Sequence, residues 1–326
     1  TQIEIITLDE LKYDLLRPYG FLANEFLGIE LDTGQILEIE RFIYENDKKT
    51  TSLQNPFISR NSELEKVIKN IEQHQTIILS GHPGTGKTRL AIEAAKKIKE
   101  KITKLKTYII TNKGQSIYND LHSYFLPNNE YLVIVDDANR IGELSRIIEL
   151  ALLDELSIRI IITVRDYALN KILFQFKEFE KIIFSPIKLE KLTSKEIEEI
   201  LSSIKITNPF CVNKITYISN GNPRLAMMAA EYALETNNCH VLNNVTDIYD
   251  KYFSKYINEI EELNNKDLIK TLGIISFNRN FSKENIEFNK VTFEAFEISE
   301  NDFWENAFIL HDLELIDLFE KQIVKI

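Results

Sequence analysis

The sequence predicts a doubly wound α/β domain with five parallel strands, followed by a helical bundle and a winged-helix-like, α-rich module. Short apolar runs alternate with amphipathic helical patterns between residues 55 and 186. The runs 131–136 and 158–164 are almost continuously apolar, which is typical of strands buried on both faces of a parallel sheet. A glycine-rich stretch separates the first strand from the next helix, in the strand–loop–helix order of this fold class.

The elements follow from these patterns in chain order. We expect strands over residues 76–80, 107–111, 131–136, 158–164 and 181–184. Helices are expected over residues 63–73, 87–101, 115–124, 141–155 and 166–178. Thr193 or Ser194, followed by Glu196 or Glu198, predicts a capping-box helix start, and further helices are expected over 209–219 and 223–236. A short hairpin is expected near 285–293.

Four segments are predicted from the changes of pattern. Residues 1–54 read as a prefix with a small helical or hairpin element that ends in a polar linker. Residues 55–186 form the α/β domain, 187–240 a helical lid, and 241–326 the winged-helix-like domain. Because the chain starts at Thr1 and its only methionines are Met227 and Met228, we expect it to be a piece of a longer protein.

Composition narrows the class of function. The chain has 326 residues, 44% of them hydrophobic, which allows sizeable cores. Its net charge of -11 argues against broad nucleic-acid binding through this segment. Cys211 and Cys239 have no metal-site spacing, so we expect small buried apolar residues in a reducing, cytoplasmic setting. We see no apolar run of membrane-spanning length and no secretory signal.

The most informative stretch is Gly-His-Pro-Gly-Thr-Gly-Lys-Thr over residues 81–88, which fits the phosphate-binding loop G-x-x-x-x-G-K-[ST]. Three of the ten glycines of the chain fall within six positions here. We expect Lys87 to reach the β- and γ-phosphates of a nucleotide, and the Thr88 hydroxyl to bind Mg²⁺. The predicted nucleotide contacts of this loop are Gly81, Pro83, Gly84, Thr85, Gly86, Lys87, Thr88 and Arg89.

Acidic and basic residues follow two of the predicted strands. Asp136 and Asp137 end the strand 131–136, where Asp136 is expected to hold Mg²⁺ and Asp137 to orient or deprotonate the attacking water. Arg165 ends the next strand and is expected to sense the γ-phosphate. The alternatives are two solvated acids in a loop, and an arginine that only pairs with a neighbouring acid.

Two further segments complete the candidate site. The turn before the helix 223–236 has a proline at an early helical position, so Arg224 is expected to point at the γ-phosphate and Pro223 to pack near the base. Ordinary helix initiation is the alternative. The segment that precedes the first helix contributes Phe57, Ile58 and Arg60 as a candidate adenine clamp.

Taken in order, Phe57-Ile58-Ser59-Arg60, GHPGTGKT, VIVDD, IIITVRD and GNPR resemble the STAND class of signalling NTPases, and most closely its novel bacterial branches. The resemblance covers about residues 55–235. It implies a nucleotide switch: ADP would hold the domains closed, and ATP would permit opening and oligomerisation. It also implies an effector and a sensor domain outside this chain, and a role of many bacterial members in anti-phage defence.

The resemblance has two departures. Ser59 stands where the family commonly has glycine, and Asp137 stands where many active ATPases have glutamate. The shorter reach of Asp137 implies slow hydrolysis, which suits a switch. Two other classes stay open: a AAA+ ATPase of the replication-initiator or loader type that acts on DNA, and a nucleotide-binding scaffold without turnover.

Overall fold

The computed structural model describes residues 34–46, 53, 55–112, 117, 120–121, 124–141, 143–179, 186–236, 238–240, 242–248, 266–278, 280–282, 285–312, 316–319 and 323–325. The chain divides into two compact units, Thr1–Lys191 and Leu192–Ile326. No described helix combines the length and the apolar character that crossing a membrane requires.

A mostly parallel sheet forms the centre of the first unit. Its described strands are β1 (Ile36–Glu38), β2 (Thr76–Gly81), β3 (Lys106–Ile110), β4 (Glu130–Val135), β5 (Ser157–Arg165) and β6 (Ile187–Leu189), in the spatial order β1-β3-β4-β5-β2-β6. Only the pairing of β1 with β3 is antiparallel among them. β5 therefore lies between β2 and β4, so three carboxyl ends of parallel strands meet at one edge.

Helices cover both faces of this sheet. They are α1 (Ile39–Asn46), α2 (Asn61–Gln73), α3 (Lys87–Lys101), α4 (Leu144–Ala151) and α5 (Leu169–Gln175). Successive strand residues point to opposite faces, so Ile77 and Leu79 pack with α2 and α3, whereas Ile78 packs in the core that includes α4 and α5. The sheet is apolar on both faces because each face has its own helical layer.

The predicted fold class is confirmed, with differences at the margins. The predicted strand over 181–184 lies outside the described residues, and the fifth parallel strand is β6, just beyond the predicted domain boundary at residue 186. The predicted helix over 115–124 lies largely outside the described residues. Within the predicted prefix, β1 and α1 form a strand–helix unit that joins the sheet edge, while residues 1–33 and 47–52 are not described.

Gly81 is required by close packing rather than by backbone conformation. A Cβ at this position would lie 2.8 Å from the carbonyl oxygen of Leu189 and 2.9 Å from Oγ1 of Thr85. We expect Gly81→Ala to lower the free energy of unfolding by about 1–3 kcal/mol, since β6 would have to shift away from β2. Urea unfolding followed by circular dichroism measures this change.

Gly273 gives the matched control. A Cβ there meets no atom within 4 Å, so Gly273→Ala is expected to raise the free energy of unfolding by about 0.5–1 kcal/mol through helix propensity. Equal stability of Gly81→Ala and the wild type would contradict the packing argument.

The second unit starts with three helices, α6 (Ser194–Ser203), α7 (Pro209–Ser219) and α8 (Pro223–Thr236). The capping box is confirmed: the Thr193 hydroxyl accepts from the Glu196 N–H, and the Glu196 carboxylate accepts from the Thr193 N–H. Apolar residues of the three helices form one core, which includes Ile197, Leu201, Ile215 and Ala229. A helical bundle thus follows the α/β domain, as the fold-class prediction states.

The two cysteines are paired, which corrects the expectation of two separate apolar residues. Cys211 lies near the start of α7 and Cys239 follows the end of α8, with a disulfide between them and a Cα–Cα distance of 5.5 Å. The pairing arises because α7 and α8 pack as a helical hairpin that brings these two ends together. Cysteine usage therefore gives no support to a reducing setting.

The C-terminal part contains α9 (Lys266–Asn278), β7 (Asn280–Ser282), α10 (Ile286–Phe296), α11 (Glu300–Asp312), β8 (Asp317–Phe319) and β9 (Ile323–Lys325). The three strands pair antiparallel in the order β7-β9-β8, around a core that contains Phe281, Phe303 and Trp304. This arrangement is winged-helix-like, as predicted. The hairpin predicted near 285–293 is wrong: α10 occupies these residues, and it buries Asn289, Thr292 and Phe293 at helical spacing.

Candidate nucleotide-binding site

The loop between β2 and α3 has the backbone that its glycines permit. Gly84 and Gly86 have φ angles of 77° and 91°, in the left-handed region that favours glycine. The backbone N–H and the hydroxyl of Thr85 both donate to the carbonyl oxygen of His82, over 3.3 Å and 2.9 Å. The first N–H groups of a helix have no partner within the helix, so this turn directs donors and partial positive charge toward an anion.

Lys87 is the first residue of α3 and is folded back over this loop. Its side chain is 6% exposed, and Nζ donates to the carbonyl oxygens of Gly81 at 2.9 Å and His82 at 3.0 Å. Burial lowers the pKa of the Lys87 ammonium below its ordinary value, and the charges of Asp137 and Asp136 offset only part of this shift. A buried cation beside the loop is therefore available to a phosphate group.

Thr88, Asp136 and Thr163 form one hydrogen-bonded network that joins α3, β5 and the end of β4. Oδ1 of Asp136 accepts from the Thr88 hydroxyl at 2.6 Å and from the Thr163 hydroxyl at 2.8 Å. Thr163 is completely buried, and its Oγ1 also accepts from the backbone N–H of Asp137 at 2.9 Å. One strand residue thus orients both of the acids that the sequence singled out.

Asp137 is held in a conformation that few residue types adopt. Its φ of 44° is left-handed, which aspartate tolerates better than most non-glycine residues. Its Oδ2 lies 3.0 Å from Nη2 of Arg165 and 3.7 Å from Nε of Arg140. Burial alone raises the pKa of the Asp137 carboxyl, but the charges of Arg165 and Arg140 outweigh it, so the pKa is below its ordinary value. Asp137 is therefore an ionised carboxylate at neutral pH.

The oxygen atoms beside Lys87 fit a magnesium ion. The Thr88 hydroxyl and the Asp136 carboxylate are hard oxygen ligands, which Mg²⁺ prefers, and it commonly takes only one or two of them from the protein. Within the described ranges, no cluster of three or more His, Cys, Asp or Glu side chains could hold a metal by itself. A metal at Thr88 and Asp136 would depend on phosphate oxygens and water for its remaining ligands.

Two arginines connect the segment before α2 to the phosphate loop and to α3. Nη2 of Arg89 donates to the carbonyl oxygen of Asn55 at 2.5 Å, and Arg60 donates to the carbonyl oxygen of Thr85 at 3.1 Å. Phe57 is partly buried against the α2–α3 face of the sheet. Ser59 has a φ of 68°, which explains why glycine suits this position. The adenine contacts of Phe57, Ile58 and Arg60 stay predictions.

The remaining candidate residues lie in the second unit. Gly221 has a φ of 76° and precedes a turn in which Oδ1 of Asn222 accepts from the backbone N–H of Arg224 at 3.0 Å. Pro223 is the first residue of α8, as its position in the sequence predicts. Arg224 is exposed on the first turn of α8. The roles of Pro223 and Arg224 at a nucleotide stay predictions.

The first unit therefore brings Lys87, Thr88, Asp136, Asp137 and Arg165 to one edge of the sheet. Sequence reasoning missed Thr163 and Arg140 as members of this cluster. Thr163 could have been found from its position two residues before Arg165, which puts both side chains on the same face of β5. Arg140 gave no signal, because it lies in a short turn after Asp137 whose course depends on tertiary structure.

Comparison with known proteins agrees with this geometry. Residues 59–204 match the family model of novel STAND NTPase 3, and no curated protein sequence matches the chain. Among solved structures, Aeropyrum pernix ORC1 in complex with DNA has 13% identity and a TM-score of 0.52, over 88% of this chain and 90% of that one. Its likeness concerns the fold alone.

Two further solved structures have TM-scores below that of ORC1. A. pernix ORC2, solved as ADPNP–ADP complexes, has 16% identity and a TM-score of 0.47, over 86% of this chain and 93% of that one. S. cerevisiae Hsp104 in a casein complex has 14% identity and a TM-score of 0.49, over 75% of this chain and 49% of that one. By its family match and the geometry of its phosphate loop, residues 59–204 are a P-loop NTPase region of the STAND class.

Proposed function

We propose that this chain is the nucleotide-controlled switch module of a larger signalling protein. It binds ATP or ADP with Mg²⁺, hydrolyses ATP slowly, and self-associates in one of the two nucleotide states. A cytoplasmic location, effector and sensor domains outside this chain, and a role in anti-phage defence belong to the same proposal through the STAND resemblance. The main support for the proposal is that the phosphate loop, the carboxylates of Asp136 and Asp137, and Arg165 lie together at one edge of the sheet.

In this proposal the residues have distinct tasks. The loop N–H groups and Lys87 bind the β- and γ-phosphates, while Thr88 and Asp136 hold Mg²⁺. The metal would neutralise charge on the phosphate oxygens. Asp137, which is ionised, orients the attacking water and accepts its proton. Phe57, Ile58 and Pro223 enclose the base.

The Arg165–Asp137 ion pair supports a switch rather than a constitutively active enzyme. Nη2 of Arg165 lies 3.0 Å from the Asp137 carboxylate, so a γ-phosphate that binds this nitrogen would compete with Asp137 for it. A γ-phosphate would draw Arg165 away and leave Asp137 free for water. Arg224 is proposed as the second γ-phosphate contact, from the second unit. Moving a two-state population from 1:99 to 99:1 requires about 5.5 kcal/mol of differential binding, which charge-assisted contacts with the γ-phosphate can supply.

The proposal is tested with the purified chain. Calorimetric titration with Mg·ATP, Mg·ADP and a non-hydrolysable ATP analogue measures binding, and phosphate release measures turnover. Light scattering after gel filtration measures the mass in each nucleotide state. We expect binding of all three nucleotides, slow phosphate release, and a larger mass with the analogue than with ADP. No binding of any nucleotide would refute the proposal.

Thr163 gives a sharper test of the magnesium site. We expect Thr163→Val to raise the Mg²⁺ concentration needed for half-maximal ATP binding by about 10-fold. Groups that orient a metal ligand are commonly worth 10–100-fold in metal affinity. Thr163→Ser keeps the hydroxyl and should bind Mg²⁺ almost as the wild type does. Mg²⁺ titration at fixed ATP measures the effect. Identical Mg²⁺ dependence of the valine and serine variants would contradict this role.

DNA binding is the second candidate, because A. pernix ORC1 was solved in complex with DNA and shares the fold. The net charge of -11 opposes it. Salt-dependent binding of duplex DNA by the chain would favour the initiator-type alternative. Nucleotide binding with a nucleotide-dependent mass but no phosphate release would instead favour a scaffold without turnover.

A further inference from the structure

Arg60 is a buried cation that bridges two parts of the first unit. Arg60 is 5% exposed, and its guanidinium makes polar contacts with three residues. Nη1 lies 2.9 Å from Oε1 of Glu63. Nη2 donates both to the carbonyl oxygen of Thr85, at 3.1 Å, and to that of Glu190, at 2.7 Å. One nitrogen therefore holds a carbonyl of the phosphate loop and a carbonyl that follows β6.

The second carbonyl belongs to the segment that connects the two units. We call residues 190–193 the strap: they follow β6 and end at the Thr193 cap of α6. The strap starts where Leu189 already packs closely on Gly81, the first residue of the loop motif. The start of the strap is thus held by the contact of Leu189 with Gly81 and by the bond from Arg60 to the Glu190 carbonyl.

The first carbonyl shares a rigid group with a donor of the phosphate loop. The carbonyl of Thr85 and the N–H of Gly86 belong to the same peptide plane and point in opposite directions. A phosphate that binds the Gly86 N–H must therefore fix the direction of the Thr85 carbonyl, on which Arg60 is bonded. The charge of Arg60 also polarises this peptide, which makes the N–H a stronger donor.

We propose that Arg60 is a positioning residue that couples the state of the phosphate loop to the strap. A phosphate on one side of the Thr85–Gly86 peptide tightens the bond to Arg60 on the other side. Because the same Nη2 holds the Glu190 carbonyl, the strap is ordered with the loop. Glu63 accepts a separate hydrogen bond from Nη1, which does not take part in the link between the two carbonyls. This inference rests on the proposed nucleotide binding. It adds a physical link by which the state of the phosphate loop would affect the order of the strap.

Hydrogen exchange of the complete chain tests the coupling. Peptides that cover residues 186–193 are followed without nucleotide, with Mg·ADP and with a non-hydrolysable ATP analogue. In the wild type we expect nucleotide to slow exchange in the strap by about 10-fold, within the range of coupling between sites. In Arg60→Met we expect nucleotide still to bind, with affinity lowered about 3–10-fold, and the strap response to fall below about 2-fold.

Two variants keep the result decisive. Glu63→Gln removes the ion pair at Nη1 but leaves both carbonyl bonds of Nη2 in place, so its strap response should resemble that of the wild type. If circular dichroism shows that Arg60→Met does not fold, Arg60→Lys carries the test: it keeps the charge without the planar fork, and its strap response should be reduced.

The outcomes separate the two proposals. No nucleotide binding by the wild type refutes the proposed function. Binding with an unchanged strap response in the folded Arg60 variant, or with no strap response in the wild type, overturns the coupling role alone. An equal loss of response in Glu63→Gln also overturns it, because a general loosening of the first turn of α2 would then explain the effect.

Discussion

Lys87→Ala is expected to weaken ATP binding by roughly 100-fold while the fold persists. The wild-type ammonium is buried beside the loop and is bonded to the carbonyls of Gly81 and His82, so it is already in place for a phosphate. Charge-assisted hydrogen bonds are worth about 1.5–3 kcal/mol each, and two of them give about 3 kcal/mol, which is roughly 100-fold in affinity. Equilibrium binding of a labelled ATP analogue measures the loss.

Lys97→Ala is the matched control, because it removes the same charge from an exposed position of α3. Its affinity for ATP should stay within about 2-fold of the wild type, as screened surface charges contribute little. Circular dichroism and thermal unfolding establish that both variants fold. An affinity of Lys87→Ala equal to that of Lys97→Ala would remove Lys87 from the phosphate site.

Much of the fold could be predicted because the signals are local. The continuous apolar runs of β4 and β5 require burial on both sides, and α3 and α8 have observed bounds identical to the predicted ones. β6 was missed because it has only three residues, Ile187–Leu189, too few for a periodic pattern. The helix α10 was mistaken for a hairpin because its β-branched and aromatic residues favour strands, whereas packing of Phe293 in the module decides otherwise.

The site was predictable where one segment carries the chemistry. Lys87 and Thr88 follow from a contiguous loop, and Asp136 from the end of a strand. The position of Thr163 on the same face as Arg165 could be inferred from the strand pattern, but its bond to Asp136 could not, since that bond requires β5 to lie between β2 and β4. The pairing of Cys211 with Cys239 was missed for the same reason: it depends on how two helices pack, not on spacing along the chain.

The environment of Asp137 decides how its role can be measured. Arg165 and Arg140 lower the pKa of its carboxyl, although burial opposes them. A base must be ionised to accept a proton, so turnover that depends on Asp137 falls as the pH drops through this lowered pKa. Removal of one of the two cations raises the pKa, and the acidic limb of the pH–rate profile should then move to higher pH.

Asp137→Asn is expected to reduce ATP turnover by about 10²–10⁴-fold, the usual contribution of a general base, with nucleotide affinity within about 3-fold of the wild type. Asparagine suits this test because it also tolerates the left-handed φ of 44°, so the turn should survive. Phosphate release at saturating Mg·ATP measures the effect, and Asp154→Asn, at an exposed acid, is the control. Full activity of Asp137→Asn would contradict a role as base.

Arg140→Gln extends the argument to pH. Since its guanidinium lies 3.7 Å from the Asp137 carboxylate and is not assigned to the nucleotide, its loss should move the acidic limb upward without abolishing turnover. Arg165→Gln should shift the same limb further, because Arg165 exerts the larger effect on the Asp137 pKa, but with much lower turnover if it also contacts the γ-phosphate. If the acidic limb of the pH–rate profile does not move in Arg140→Gln, a group other than Asp137 limits turnover at low pH. The ion pairs at this sheet edge would then stabilise the structure rather than tune proton transfer.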